Sequence, residues 1–311
     1  MSKISRDVEK GAPEVAIRFL VVAIAVLMCA GAVQGQEQLQ PYVLSSHVKG
    51  DFAKTVIEVE EALIGAGFRL VGGYSPYEDA HVIVATDNRL RALLNPGDIG
   101  TAFIQGLRIA VTRSNGQIQV AYADPVYFGH AYRLKSSLSD VREQLLSVLG
   151  EQARFGSAGM TPSQLRGYHY SYGLEYFSDF LQLGKYRNHR QAVKALERGL
   201  SENRGGIYEI YRIEAPEKGI TLFGVALTEG AGSDDSIMER LDTAPLKRTA
   251  RLPYEIVVHD GRILALHPRF RIAIDFPDMR RVGDHGLVRF REAMHGMEIH
   301  LKALLDSGVK R

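Results

Sequence analysis

Thiol chemistry is almost absent from this sequence of 311 residues, which holds a single cysteine, Cys29. That cysteine lies in an apolar stretch near the N-terminus, so a chain cut after the stretch holds none. Such a chain forms no disulfide, uses no thiolate nucleophile and binds no metal through cysteine. An excess of one charge is missing too. The formal net charge is +2, and a near-neutral chain has no broad electrostatic drive toward nucleic acid or an anionic membrane. Catalytic signatures are also lacking. No serine stands in a Gly-x-Ser-x-Gly elbow, and no His-Glu-x-x-His zinc motif occurs. No glycine-rich loop joins a strand to a helix in a nucleotide-binding crossover. The ten histidines are scattered singly along the chain. No cofactor and no metal site are therefore expected, although catalytic groups can assemble from distant positions.

What is present describes a globular protein. Apolar residues make up 45% of the chain and charged residues 24%, and the length accommodates two ordinary domains. Lys3, Arg6, Lys10 and Arg18 precede the apolar run FLVVAIAVLMCAGA (19–32), which is followed by Val33-Gln34-Gly35 and the polar QEQLQP. A basic start, a short apolar stretch and small residues at a cut site read as a secretory signal peptide over 1–35, cleaved after Ala32 or Gly35. The expected location is the periplasm or the exterior. The alternatives are an uncleaved N-terminal anchor and a lipoprotein acylated on Cys29, the latter opposed by Met28 where a small residue is favoured. No other segment is long and apolar enough for a bilayer, so no membrane span is expected after cleavage. Cleavage lowers the net charge to +1, since the segment carries four basic and three acidic side chains.

The rest of the chain reads twice. From Tyr42, a strand-like YVLSSHV leads to a helix capped by Asp51, with Phe52, Val56, Val59 and Leu63 at helical spacing. Two strands, FRLVGG and AHVIVAT, and a short helix at 87–94 follow. LRIAVTR and QIQVAYA then flank Asn115-Gly116, a strong hairpin signal. Pro125 precedes a strand-like HAYRL and a helix over 137–149. From Asn188 the order recurs: a capped helix with Ala192, Val193, Leu196 and Leu200 on one face, then the strands GIYEIYRI and ITLFGVAL, then a short helix near 236–241. YEIVVH and RILALH flank Asp260-Gly261, and Pro268 precedes a strand-like RFRIAIDF and a helix over 284–305. The two turns lie 145 residues apart and the two prolines 143. We therefore expect an α+β fold of two similar modules in tandem, produced by internal duplication, each an antiparallel sheet with helices packed on one face. The modules span 36–155 and 187–311, with an aromatic-rich connector over 156–186.

Several stretches carry a family resemblance: GLRIAVTRSNGQIQVAYADPVYFGHAYRLKSSLSDVREQLLSVLG, LRGYHYSYGLEYF, HRQAVKALERGL, TLFGVALTEG, RTARLPYEIVV and LALHPRFRIAIDFPD. Together they resemble the domain of unknown function 302 family over most of the chain after residue 45. These are packing and turn motifs. The resemblance implies small α+β modules and brings no established activity or catalytic residue.

Three groups of residues are candidates for a site. Tyr168, His169, Tyr170 and Tyr172 stand in the connector beside Tyr176 and Phe177. On a strand, the tyrosines at 168, 170 and 172 would share one face, suited either to a flat apolar ligand or to packing the seam between the modules. Tyr127, His130, Tyr132 and Arg133 after Pro125, with His267, Arg269 and Arg271 around Pro268, would form a basic, aromatic-lined groove for a small anion if the halves face each other. The competing reading pairs those arginines with Asp275 and Asp278. Met294, His295, Met297 and His300 suggest copper by ligand type. On a helix, however, the two histidines diverge while the methionines share a face. The function expected on this basis is an exported, non-enzymatic protein that binds a small ligand or an envelope protein partner at the seam. The alternatives are an extracytoplasmic enzyme with a His130 or His169 acid–base site and a structural component of an envelope complex.

Overall fold

The computed structural model describes residues 37–169, 175–279 and 291–305. The segment read as a signal peptide lies outside them, as do Tyr170 and Tyr172. The first half runs β1 (Tyr42–Val48), α1 (Phe52–Gly65), β2 (Arg69–Tyr74), β3 (Ala80–Thr86), α2 (Asn88–Leu93), α3 (Gly100–Phe103), β4 (Leu107–Ser114), β5 (Gln117–Ala123), α4 (Pro125–Ala131), α5 (Ser139–Leu149) and β6 (Ala153–Phe155). After α6 (Pro162–Arg166), the second half runs β7 (Leu181–Lys185), α7 (His189–Ser201), β8 (Ile207–Ala215), β9 (Ile220–Leu227), α8 (Asp234–Leu241), β10 (Tyr254–His259), β11 (Arg262–Ala265), α9 (Pro268–Asp275) and α10 (Arg291–Ala303). A one-turn helix, Thr249–Arg251, precedes β10. The last strand-forming part of the connector, β7, is an edge of the second sheet.

Local chemistry explains the elements. Asp51 caps α1 by accepting the Lys54 amide at 2.8 Å, and Asn188 caps α7 by accepting the Gln191 amide at 3.0 Å. Both hairpins turn through left-handed residues: Asn115 and Gly116 at φ 52° and 73°, Asp260 and Gly261 at 46° and 78°. Two consecutive positive φ values define the turn whose twist matches the flanking strands, and Asn-Gly and Asp-Gly tolerate them best.

Both sheets are antiparallel, with strand orders β2-β3-β4-β5-β1-β6 and β8-β9-β10-β11-β7. Apart from β6 the orders correspond strand for strand. The correspondence extends to irregularities, since β2 shifts register between Leu70 and Gly72 and β8 between Glu209 and Tyr211. The first helix of each module packs on its own sheet. The other sheet faces are covered by the neighbouring module, which explains why β9 is buried along its whole length. The segment before β4 in the first module, α3, lies on β9 and β10. Its counterpart before β10, Thr249–Arg251, lies on β3, β4 and β5. The exchange is reciprocal, as in a two-fold interface of two like subunits. At its centre β2 and β8 meet back to back. A Cβ at Gly72 would stand 2.6 Å from the Ile210 carbonyl, so glycine is required for this approach.

The strands expected after Pro125 and Pro268 are helices instead, α4 and α9. Asp124 Oδ1 accepts the Val126 amide at 2.8 Å, and His267 Nδ1 accepts the Arg269 amide at 3.3 Å. The prolines take the first helical turn, where a missing N–H leaves nothing unpaired. Both helices are buried nearly all round. Without a polar face they lack the 3.6-residue rhythm that separates a helix from a strand in sequence.

Candidate functional site at the seam between the modules

The expected groove residues divide into a buried set and an outer set. Tyr127, Tyr132 and Arg271 are fully buried between the modules rather than lining an open face. The Tyr127 hydroxyl donates to the Ile274 carbonyl at 3.0 Å, and the Tyr168 hydroxyl donates to the Ala273 carbonyl at 2.9 Å. These carbonyls belong to the last turn of α9, which has no intrahelical donors for them. Both tyrosines thus cap a helix end across the seam. Tyr168 and His169 lie in no strand. His169 stacks on Tyr176 with ring centroids 4.5 Å apart, and the Arg133 guanidinium sits 6.0 Å from the same ring. His130 is half-buried on α4.

The outer set gathers at the start of α9. His267 Nε2 lies 3.5 Å from Glu175 Oε1, to which Arg269 Nη1 donates at 2.8 Å. Burial lowers the His267 pKa, opposed by Glu175. The Met–His stretch sits on α10 with Met294 and Met297 in the core, while His300 Nδ1 is 2.8 Å from the Gly205 carbonyl. Among the described residues no group of His, Cys, Asp and Glu is placed to hold a metal ion.

Arg271 leads to a larger polar cluster buried in the seam. Arg108 on β4, Arg251, Glu255 on β10, Arg271 and Asp275 are each no more than 3% exposed. Arg251 Nε donates to Asp275 Oδ2 at 3.0 Å, and Arg271 Nη1 donates to Asp275 Oδ1 at 3.3 Å. Arg108 Nη1 donates to Glu255 Oε1 at 3.3 Å. Arg271 Nη2 lies 3.4 Å from Glu255 Oε2, an ion pair without hydrogen-bond alignment. Arg271 also donates to the Tyr132 hydroxyl at 3.0 Å and, with Arg108, to the Arg251 carbonyl. Burial opposes the Arg271 charge, but Asp275, Tyr132 and Glu255 outweigh it and hold the guanidinium ionised. Burial also raises the Tyr42, Tyr132 and Tyr211 pKa values, keeping all three phenols neutral. The expected Asp278 pairing is made by Arg248 instead, at 2.8 Å.

An open cavity of about 400 Å³ lies beside this cluster, lined by Tyr77, Thr112 and Arg113 of the first module and Met238, Asp242 and Lys247 of the second. Cross-module bonds hold its walls. The Tyr77 and Thr112 hydroxyls lie 2.7 and 2.8 Å from Thr249 Oγ1. Gln119 Nε2 donates to the Lys247 carbonyl at 2.6 Å, and the Lys247 amide donates back to Gln119 Oε1 at 2.8 Å. Asp242 is 4% exposed. Its Oδ2 accepts the Arg248 amide at 2.6 Å, while its Oδ1 has no partner. Burial raises its pKa to about 6, opposed by the Arg248 amide and by the charges of Arg248, Lys247 and Arg251. Both cations in the wall are occupied: Arg113 pairs with Asp79 at 2.8 Å, and Lys247 Nζ donates to the Asp242 carbonyl at 2.8 Å. Asp235 and Glu239 add two more carboxylates to the lining. The cavity can therefore accept hydrogen bonds from a small ligand.

No family model matches the chain, and no curated protein does. Among solved structures, the chain is similar to the crystal structure of an uncharacterized conserved protein, DUF302, from Bacillus stearothermophilus. Identity is 16% and the TM-score 0.32, over 35% of this chain and 94% of that one.

Neither Asp242 nor the Arg108, Arg251 and Glu255 group was apparent from the sequence. One available signal was the i, i+4 spacing of Arg271 and Asp275, which places them on one helical face. The cavity has no sequence signal, because its walls come from positions more than a hundred residues apart.

Proposed function

We propose that this is an exported, non-enzymatic binding protein of the domain of unknown function 302 lineage, and that it takes a small amine-bearing ligand in the seam cavity. One observation carries the reading: the unpartnered Oδ1 of Asp242, a buried carboxylate in the wall of a cavity shared by both modules. A buried acceptor without a donor is costly, and an ammonium group supplies a charge-assisted hydrogen bond. The Met238 side chain and the Tyr77 ring offer apolar surface to a short alkyl stem. The cavity's size falls within the range of small-molecule sites.

Calorimetric titration of the full chain with short primary amines and diamines tests this. At neutral pH saturable binding is expected. Asp242→Asn, whose side-chain oxygen can still accept the Arg248 amide, is expected to weaken binding at least about tenfold, the scale of one charge-assisted bond. Binding is also expected to fade as pH drops through about 6, where Asp242 gains its proton. Titrations that show no heat with any amine, or an unaffected Asp242→Asn, would sink the reading.

A further inference from the structure

The outer rim of the Asp242 cavity carries negative charge that the protein leaves unmatched. Asp235, Met238, Glu239 and Asp242 follow one another at i, i+3, i+4 and i+7 along α8 and its C-terminal cap, and all four line the cavity. That spacing puts them on one helical face. Asp242 is the buried inner end, while Asp235 and Glu239 are exposed. Asp235 Oδ1 accepts from the Ser233 hydroxyl and the Ser236 amide, and its Oδ2 has no donor among the described residues. Glu239 has neither a hydrogen bond nor an ion pair with a described residue. The nearby cations are engaged elsewhere. Arg113 pairs with Asp79 and Arg248 with Asp278. Arg240, the next residue on α8, is exposed and does not line the cavity. Lys247 and Arg251 both act on Asp242. Even with these two assigned to Asp242, Asp235 and Glu239 are left without a countercharge. Between the rim and Asp242 the wall is apolar, formed by Met238 and, across the cavity, the Tyr77 ring. At about 1.5 Å per residue, Glu239 and Asp235 stand about 5 and 10 Å from Asp242 along the helix axis. The cavity thus presents a carboxylate, an apolar wall and two more carboxylates in order. Carboxylates only accept and ammonium groups only donate.

We infer that the cavity selects a linear α,ω-diamine of about four to six carbons, with one ammonium on Asp242 Oδ1, the other on the Asp235 and Glu239 rim, and the methylene chain along Met238. This rests on the amine reading above and narrows it from any amine to a two-ended one. Extended chains of that length span roughly 6–9 Å between their nitrogens, within the interval from Asp242 to the rim. A monoamine of the same length satisfies Asp242 and leaves the rim as it is.

Calorimetric titration of the full chain with pentylamine and pentane-1,5-diamine, at neutral pH and low salt, tests the inference. The diamine is expected to bind at least about fivefold tighter, above the about twofold that two equivalent ends give by statistics. Because the rim is exposed, the advantage is expected to shrink to that statistical level at about 1 M salt, where the screening length is about 3 Å. The double substitution Asp235→Asn with Glu239→Gln is expected to bring the diamine down to the affinity of the monoamine. Both positions are exposed, and the asparagine keeps an oxygen for the Ser236 amide, so the fold is expected to persist. Pentylamine and pentane-1,5-diamine binding alike through Asp242 would overturn this inference and leave the amine reading standing. A diamine advantage that survives the double substitution, or that is indifferent to salt, also overturns it. If neither compound binds, both readings fall.

Discussion

Asp275 and Asp278 are three residues apart, and each accepts from an arginine, yet their energetics differ. Asp275 is fully buried and bridges Arg251 and Arg271, whereas the Asp278 side chain is 47% exposed and pairs with Arg248. Removing one member of a buried network strands the others without solvent, while an exposed pair is screened. Asp275→Asn is therefore expected to cost about 3–5 kcal/mol, and Asp278→Asn less than about 1 kcal/mol, read as shifts in urea midpoint. Two other buried carboxylates set a pH dependence. Burial raises both Asp234 and Asp242 to about 6 from an ordinary value of 3.8. An acid with a raised folded pKa binds its proton more tightly folded than unfolded. Its contribution to stability is whole below about 4 and is lost as pH rises toward 6. Urea unfolding across pH 4 to 7 is expected to show this decline, and Asp234→Asn is expected to reduce its slope. Asp234 keeps its Oδ2 as acceptor for the Tyr74 hydroxyl at 2.7 Å, so the asparagine variant can retain that bond.

At the scale of elements, periodicity succeeded where one face meets water. α7 carries Ala192, Leu196 and Leu200 into the core and polar residues outward, and its sequence reads as a helix without help. α4 and α9 have no such contrast, and the same apolar composition was read as strand. The cap residue followed by proline was the better signal, because it concerns how the chain starts an element and not what covers it. Turn chemistry was legible for a similar reason: left-handed φ is a local demand. Tertiary surroundings still set its cost. Gly116 has open space where a Cβ would stand, whereas a Cβ on Gly261 would meet the Tyr186 carbonyl at 2.7 Å. Gly116→Ala is expected to cost about 1 kcal/mol from backbone strain alone, and Gly261→Ala clearly more, measured by chemical denaturation.

For the whole molecule, the reciprocal docking of α3 and Thr249–Arg251 joins both sheets through one continuous core. Tyr211 is central to it. Its Cβ lies against Gly72 and its ring fills a slot against Gly106 and Gly224, where a Cβ at Gly224 would overlap the ring. Tyr211→Ala is expected to cost about 3–5 kcal/mol by leaving a cavity at the seam. Calorimetry is expected to show a single unfolding transition for the two modules, since neither sheet buries both faces without the other.

The sequence by itself determined the tandem α+β architecture, the hairpin turns and the helices with a solvent face. Each of these depends on neighbours a few residues away, through dihedral preference, capping or apolar rhythm. It also pointed to Arg271, Tyr127 and Tyr132 and offered the pairing of Arg271 with Asp275, but not their burial in the seam, because exposure is not a local property. Only the tertiary structure decided that these side chains close inside the seam, that Arg108 and Arg251 join them, and that Asp242 and Tyr77 share a cavity. The physical reason is that desolvation and charge pairing act through space: Arg108 and Glu255 are 147 residues apart in the chain and 3.3 Å apart in the fold.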